Sequence, residues 1–300
     1  MLAVFDIGGT RIRGARSPAP GVVERETEAP TPTGDFAGFC AVLRAMAEGV
    51  QGVAISIAGC IDPTTGRMKI ANIPCLDGRM VAADLQAALA LPVWIGNDAD
   101  CFALAEAGSG AGRGHRTVFG VILGTGVGGG LVIDGRLVTG AGGFAGEWGH
   151  GPVQDSRPLG REVPRLDCGC GQVGCLDAIG SARGIERLHA HLHGRSLKAE
   201  AIMADWQAED AEACETVAVW LEVVAGPLAM VLNVVGASVV PVGGGLGRAL
   251  PLVAALDAAV AERRLWRAPH PVVVPAQLGG EPGLIGASHA GWTALNWPKC

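Results

Sequence analysis

A strand, a glycine-rich turn and a returning strand occur twice in this chain, at Phe5–Arg13 and again at Leu123–Ile133. In the first copy the apolar run Leu2–Phe5 leads into Asp6-Ile7-Gly8-Gly9-Thr10, and Arg11–Arg16 alternates as the second strand. In the second copy Val118–Leu123 leads into a turn over Gly124–Gly130, with Leu131–Ile133 returning. A repeat of this kind is what a duplicated fold leaves behind. Around both copies, strands and helices alternate. Helices are expected at Phe36–Glu48, Val81–Ala90, Asp100–Ala107, Ala182–His193, Glu212–Val224, Pro227–Val235, Leu250–Arg263 and Gly283–Ala294. Strands are expected at Val50–Ile57, Pro92–Ile95, Val239–Val242 and Val272–Pro275. That alternation places the chain in the α/β class. The polar stretch Arg113–Thr117 marks the expected join between an N-terminal α/β lobe, 1–112, and a C-terminal α/β lobe, 113–285.

Hydrophobic residues make up 49% of 300 residues, ample for two cores. Net charge is −6 with no basic stripe, so nucleic acid is not an expected partner. The opening residues carry no basic n-region and no long apolar run, so no secretory signal is expected. Gly, Pro or charge interrupts the apolar stretches before about 18 residues, so no membrane span is expected either. The expected location is the cytoplasm. An odd count of nine cysteines without a signal argues against a disulfide framework. Cys40, Cys60, Cys75, Cys101, Cys214 and Cys300 are scattered and read as small core residues.

The remaining three cysteines crowd together in Cys168-Gly169-Cys170-Gly171-Gln172-Val173-Gly174-Cys175, downstream of His150. Three thiolates and one imidazole fill a tetrahedral Zn²⁺ site and leave no open position, so such a site is structural. The alternative is a set of free thiols. Glu147, three residues before His150, could accept hydrogen bonds from sugar hydroxyls, and His150 could use one ring nitrogen for metal and the other for substrate. His189, His191 and His193 alternate in an expected helix and read as a solvated face.

Asp6-Ile7-Gly8-Gly9-Thr10 sits at a strand end, where glycines admit phosphate oxygens to backbone N–H groups and Thr10 adds a hydroxyl. Asp6 at the strand tip could hold Mg²⁺ through water. An ordinary hairpin turn is the other reading. Gly124, Gly126 and Gly129 fit G-x-G-x-x-G formally, but a dinucleotide fingerprint must open a helix, and here an apolar β-like run follows. A second Gly–Thr hairpin through Gly124, Thr125, Gly126 and Gly128 would instead clamp nucleotide phosphates opposite the first. Asn97-Asp98 ends a strand and precedes a helix. Such residues cap helices, and an Asp there could also serve as a general base toward an alcohol attacking a phosphoryl group. With the phosphate turns nearby in the pattern, Asp98 is preferred as the base over Asp100, which is expected inside the helix.

These motifs resemble the ROK family (repressor, open reading frame, kinase). The resemblance rests on Asp6–Thr10, Asn97-Asp98-Ala99, Leu123–Gly130, Gly142–His150, Cys168–Cys175 and Gly243-Gly244-Gly245-Leu246, in order across nearly the whole chain. It implies an actin-like ATPase (ribonuclease H-like) duplicated fold, with two lobes and a central cleft for ATP and sugar. The N-terminal lobe would be completed by a C-terminal helix at about 286–300. It implies Asp98 as catalytic base, and Zn²⁺ on His150, Cys168, Cys170 and Cys175. ATP with Mg²⁺ would meet Asp6, Gly8, Gly9, Thr10, Arg11, Gly124, Thr125, Gly126, Gly128, Gly244 and Gly245.

Within the family, Ala71-Asn72-Ile73-Pro74 and Asn97–Leu104 are similar to the bacterial N-acetyl-D-glucosamine kinases. That likeness implies a sugar pocket of Asn72, Asn97, Asp98, Glu147 and His150, and phosphorylation at the 6-hydroxyl. Asp177 stands where most members carry a Glu that reaches the sugar, and Arg11 stands where most carry Lys. Glucokinase, N-acetylmannosamine kinase and fructokinase are the alternatives within the family. A non-catalytic sugar-sensing regulator is the alternative of another class. No N-terminal DNA-binding helix-turn-helix is expected. The expected partners are a small-molecule sugar and ATP, with no nucleic acid and no membrane, and the expected assembly is a homodimer.

Overall fold

The computed structural model describes residues 1–62, 65–151 and 157–295. The first elements are β1 (Leu2–Ile7), β2 (Arg11–Ser17), β3 (Glu24–Pro30), α1 (Phe36–Met46), β4 (Val53–Ile57), β5 (Cys60–Ile61), β6 (Met68–Lys69), α2 (Val81–Leu89), β7 (Val93–Asn97) and α3 (Asp98–Ser109). Then follow β8 (Thr117–Leu123), β9 (Val127–Ile133), β10 (Arg136–Leu137), α4 (Asp177–Gly180), α5 (Ala182–His193), α6 (Ala199–Gln207) and α7 (Ala211–Val235). The last are β11 (Val240–Gly243), α8 (Gly244–Gly247), α9 (Leu250–Ala261), β12 (Val273–Pro275) and α10 (Pro282–Ala294). The chain divides into two compact units, one of 1–114, 130–145 and 277–300, the other of 115–129 and 146–276.

The first sheet has the order β3-β2-β1-β4-β7. Strands β1, β2 and β3 form an antiparallel meander, while β4 lies parallel to β1 and β7 parallel to β4. Central β1 is covered on both faces, which is why its sequence is an unbroken apolar run rather than an alternation. Ala3, Phe5 and Ile7 join Phe39, Leu43 and Leu85 in one core. Val4 turns the other way, toward Ala54 of β4, Cys101 of α3, and Leu284 and Ala287 of α10. The second sheet has the order β10-β9-β8-β11-β12, with β11 parallel to both β8 and β12. With strands numbered in chain order within their own sheet, each sheet runs third, second, first, fourth, fifth. The internal repeat of the sequence is thus a repeat of topology, and the fold is the duplicated α/β arrangement of the actin-like ATPases.

Several elements differ from expectation. The glycine turn of the second hairpin covers Gly124–Gly126 only, and Gly128, Gly129 and Gly130 lie inside β9. They are small because neighbours come close: a Cβ on Gly129 would lie 2.7 Å from the Trp148 ring, and one on Gly130 would lie 2.8 Å from Ala103 Cβ. Two expected helices, Glu212–Val224 and Pro227–Val235, are one helix, α7, with Pro227 inside it. Buried Val223, Val224, Ala225, Leu228 and Ala229 surround the proline, and this packing outweighs the backbone bond that proline removes. Among the described residues α7 is also long and apolar enough to cross a membrane by length and composition, contrary to the expectation that none would be. Half of that window is buried in the fold, and its Glu222 pairs with Arg263, so it serves as a core helix.

The three histidines of α5 do not form a solvated face. His189 is fully buried, with Nδ1 2.9 Å from Thr216 Oγ1, while His193 Nε2 lies 3.1 Å from the same oxygen. Of the scattered cysteines, Cys40 and Cys101 are buried, whereas Cys60, Cys75 and Cys214 are half-buried. Cys300, with the rest of 296–300, lies outside the described residues.

Candidate active site and metal centre

In the first unit, Asp6 stands near the carboxyl end of β1, followed by the tight return into β2. Gly8 N–H donates to the Arg11 carbonyl at 3.0 Å, and Thr31 Oγ1 donates to the Gly8 carbonyl at 2.7 Å. Gly9 packs against Asn72, since a Cβ there would lie 3.0 Å from Asn72 Cβ. The fold therefore brings a proposed phosphate residue and a proposed sugar residue together. Thr10 and Arg11 are exposed, and Arg11 forms an ion pair with Glu28 of β3.

Asn97 ends β7 and caps α3: its Oδ1 accepts from Ala99 N–H at 2.8 Å, and its Nδ2 donates to the Gly59 carbonyl at 2.9 Å. Asp98 is the first residue of α3, which starts two residues earlier than the expected Asp100. Its Oδ1 also accepts from Ala99 N–H, at 2.9 Å. Capping is thus Asn97's role, and the Asp98 carboxylate keeps Oδ2 for other partners. Burial pushes the Asp98 carboxyl above its ordinary value, against the pull of the Ala99 amide. Burial also raises Asp6, and the charges of Glu281 and Asp98 add to the effect. Glu281 precedes α10 and pairs with Arg13 at 2.7 Å; nothing in its sequence context singled it out. Asp100 is buried within α3.

In the second unit, the turn Gly124–Gly126 is closed by Gly124 N–H donating to the Gly126 carbonyl at 3.0 Å. Gly244, at φ +83°, lies against it: a Cβ there would sit 2.5 Å from the Leu123 carbonyl and 2.8 Å from Gly124 N. The two glycine segments, Gly124–Gly126 and Gly244-Gly245, are therefore neighbours. Gly128 is not part of the turn, and its carbonyl accepts from Trp148 Nε1 at 3.0 Å.

The metal candidates come together as well. One ligand atom from each of His150, Cys168, Cys170 and Cys175 lies within 4.8 Å of every other. Cys168 Sγ is 3.6 Å from His150 Nδ1, and Cys170 Sγ is 3.6 Å from Cys175 Sγ. Zn–S bonds of about 2.3 Å give tetrahedral edges of about 3.8 Å, so the spacing and the donor set fit that ion. Glycines permit the tight turn, in which Cys168 N–H donates to the Gln172 carbonyl and Gly171 N–H to the Cys168 carbonyl. With Nδ1 toward the sulfurs, His150 Nε2 faces Glu147, 3.7 Å from its Oε2. Asp177 opens α4 directly after the knot, and its Oδ1 accepts from Val127 N–H at 2.7 Å, just past the glycine turn.

This fold and these glycine turns define an actin-like ATPase of the sugar-kinase class. The ROK family model matches residues 2–291, and the chain belongs to the ROK family. It is 36% identical over 293 residues to an N-acetyl-D-glucosamine kinase of Salmonella heidelberg, covering 95% of this chain and 97% of that one. Among solved structures, it superposes on a ROK hexokinase from Thermus thermophilus with a TM-score of 0.82 at 28% identity, over 98% of this chain and 99% of that one. A ROK family glucokinase from Streptomyces griseus, solved with glucose and AMPPNP, gives a TM-score of 0.74 at 27% identity, over 96% and 98% of the two chains.

Proposed function

We propose that this protein is an ATP-dependent hexose kinase that transfers the γ-phosphoryl group of ATP to the 6-hydroxyl of N-acetyl-D-glucosamine. The observation that carries the reading is Asp98: a solvent-accessible carboxylate at a strand–helix junction, held by one oxygen and raised in pKa by desolvation, as a general base requires. Its Oδ2 takes the proton of the 6-hydroxyl as that oxygen forms its bond to the γ-phosphorus. The bond from that phosphorus to the bridging oxygen breaks, and ADP leaves. Backbone N–H groups of Gly9, Thr125 and Gly126, with the Thr10 and Thr125 hydroxyls and with Gly244 and Gly245, would hold the phosphates, while Gly8 and Gly124 close the two turns. Arg11 adds positive charge at the exposed end of the first turn.

Mg²⁺ would be held through water by Asp6, where a divalent ion offsets the clustered carboxylates and screens phosphate charge. Zn²⁺ would be held by His150, Cys168, Cys170 and Cys175 as a closed structural site that fixes the loop carrying Glu147. Asn72, Asn97, Glu147 and His150 orient the sugar through its hydroxyls and N-acetyl group. The relatives named as N-acetyl-D-glucosamine kinases support this acceptor. A cytoplasmic location fits a reaction between free sugar and ATP. The exposed pair Met230 and Val234, four residues apart on α7, supports a homodimer.

The test is ADP release with N-acetylglucosamine, N-acetylmannosamine, glucose and fructose side by side. A pocket that binds the N-acetyl group should favour N-acetylglucosamine over glucose by about 10–200-fold in kcat/KM. Glucose or fructose clearly leading would overturn the acceptor. No ADP release with any sugar would overturn the kinase.

A further inference from the structure

The end of α7 and the segment after α9 build a second site, away from every residue assigned to sugar, ATP or metal. Helix α7 stops at Gly236, at φ +65°. From there the chain turns through Ser238 into β11. With the residues after α9, these segments enclose a pocket of about 410 Å³ whose lining includes Leu232, Asn233, Ser238, Arg264, Leu265 and Trp266. Small-ligand sites begin at about 300 Å³.

Arg264 is the unusual member. It is only 7% exposed, its Nε is wholly buried, and that atom has no hydrogen-bond partner. Among the described residues no carboxylate pairs with it, whereas its neighbour Arg263 pairs with Glu222 at 2.5 Å. The Arg264 guanidinium lies over the Trp266 ring, 5.6 Å from the centroid. A guanidinium cannot shed its proton to escape burial, as a lysine or an aspartate can. Beyond the Trp266 ring face, its charge calls for an anion or water. One other polar group can add donors. Asn233 Oδ1 already accepts from Leu265 N–H at 2.9 Å, which leaves its Nδ2 donors for a ligand. Ser238 Oγ is engaged by His115 Nδ1 at 2.9 Å. Arg264 and the Asn233 amide are thus the donors left to a ligand, and Leu232, Leu265 and Trp266 supply apolar wall.

We propose that this pocket binds a small organic monocarboxylate with a flat apolar body. The carboxylate would dock on the Arg264 fork, and the body would lie against Trp266. One guanidinium matches one negative charge and two carboxylate oxygens. A phosphate monoester brings a second charge that no other lining cation meets, and it has no use for the apolar wall. The pocket lies before the start of β11, while Gly244 and Gly245 follow its end, so the ligand does not compete with the proposed nucleotide turn.

The test uses the full chain, with benzoate as probe and benzyl alcohol and inorganic phosphate as controls, followed by calorimetric titration and Tm. Benzoate binds saturably and raises Tm. R264M weakens it by at least about tenfold, the effect of losing a charge-assisted contact, and benzyl alcohol binds more weakly than benzoate by a similar factor. Without ligand, R264M has a Tm no lower than wild type, because an unpaired buried charge is gone, and its sugar-kinase turnover is unchanged. W266A keeps the charge and loses the wall, so it also weakens benzoate; it carries the test should R264M fail to fold. Absence of saturable benzoate binding to wild type, equal binding to R264M and W266A, or tighter binding of phosphate than benzoate each overturns the proposal.

Discussion

Replacing Asp177 with Ala separates two roles that this residue can have. In the structure its Oδ1 accepts from the buried Val127 amide at 2.7 Å, and Val127 directly follows the turn Gly124–Gly126. Asp177 itself directly follows the metal knot. One hydrogen bond therefore ties the proposed zinc site to the proposed phosphate turn. A bond to a charged acceptor contributes about 1.5–3 kcal/mol, and its loss leaves a buried N–H unpaired. A working figure of about 2 kcal/mol lowers Tm by roughly 4–8 °C. If the whole loss falls on the ATP-competent turn, it weakens ATP by up to roughly thirtyfold. Asp177→Asn keeps an acceptor oxygen and should recover most of both effects. Asp177→Glu should behave differently again. The carboxylate already sits tightly, since a Cβ on Gly126 would lie 2.8 Å from Oδ1. One more methylene moves the oxygens off Val127 and toward solvent, so the KM for ATP rises while the KM for sugar holds or falls. The assay is ADP release with each substrate varied in turn, alongside Tm. A D177A enzyme with a raised KM for sugar, but with wild-type KM for ATP and wild-type Tm, would refute the brace and leave Asp177 as a sugar ligand only.

Further outcomes are expected at Asp98 and at the metal knot. Asp98→Asn lowers kcat by about 10²–10⁴-fold with little change in sugar binding, and near-normal turnover would leave Asp98 without a catalytic role. The base must be ionised to act, so in wild type kcat/KM falls as pH drops through the Asp98 pKa. That limb lies above the ordinary 3.8, because burial raises this carboxyl; a limb at or below the ordinary value would contradict the assignment. Protein purified without added metal should carry one Zn²⁺ per chain by elemental analysis, and Cys170→Ser should lower the metal content, lower Tm and raise the KM for sugar. A metal-free protein that is well folded and active would rule out the site.

The elements that local chemistry dictates were legible in the sequence. Gly8-Gly9 and Gly124–Gly126 turn where they were expected to, because only a tight return joins those strands. Asn97 caps, and the Cys168–Cys175 spacing closes on His150, because glycine lets the backbone double back. The elements set by distant neighbours were not legible. Strand β3 is Glu24–Pro30, charged and exposed along almost its whole length, so it carries no apolar alternation to read; its backbone pairing with β2 alone makes it a strand. Gly129 and Gly130 looked like turn residues and are strand residues, since the side chains that need their missing Cβ atoms come from Trp148 and Ala103. His189 was read as part of a solvated face, but it is buried and bonded to Thr216 of α7, more than twenty positions away. Glu106 is another case. Its fully buried carboxylate accepts from Ala111, Gln277 and Leu278 amides, and it fastens two distant segments of the first unit in a way that no local pattern announces.

The carboxylates near the end of β1 show why stability and activity oppose each other here. Asp6 and Asp98 both have pKa values raised in the folded state, burial being the first cause for each, and Asp98 and Glu281 add their charges against Asp6. A group raised on folding stabilises the native state most fully below its ordinary pKa. That contribution is lost as pH rises through the folded pKa. Once pH exceeds their folded-state values, both groups are ionised at the expense of the fold. Asp98→Asn removes one such charge while keeping the side chain's shape, so the inactive variant should be at least as stable as wild type at neutral pH, with the difference shrinking in acid. A residue kept only to cap α3 would give the opposite sign, because the Asp98 bond to Ala99 would weaken with nothing gained in return. A cation bound near Asp6 would act in the same direction as protonation, which is the physical reason to expect Mg²⁺ with ATP at this end of the sheet. The carboxylates that destabilise the empty protein are the groups that the proposed chemistry uses.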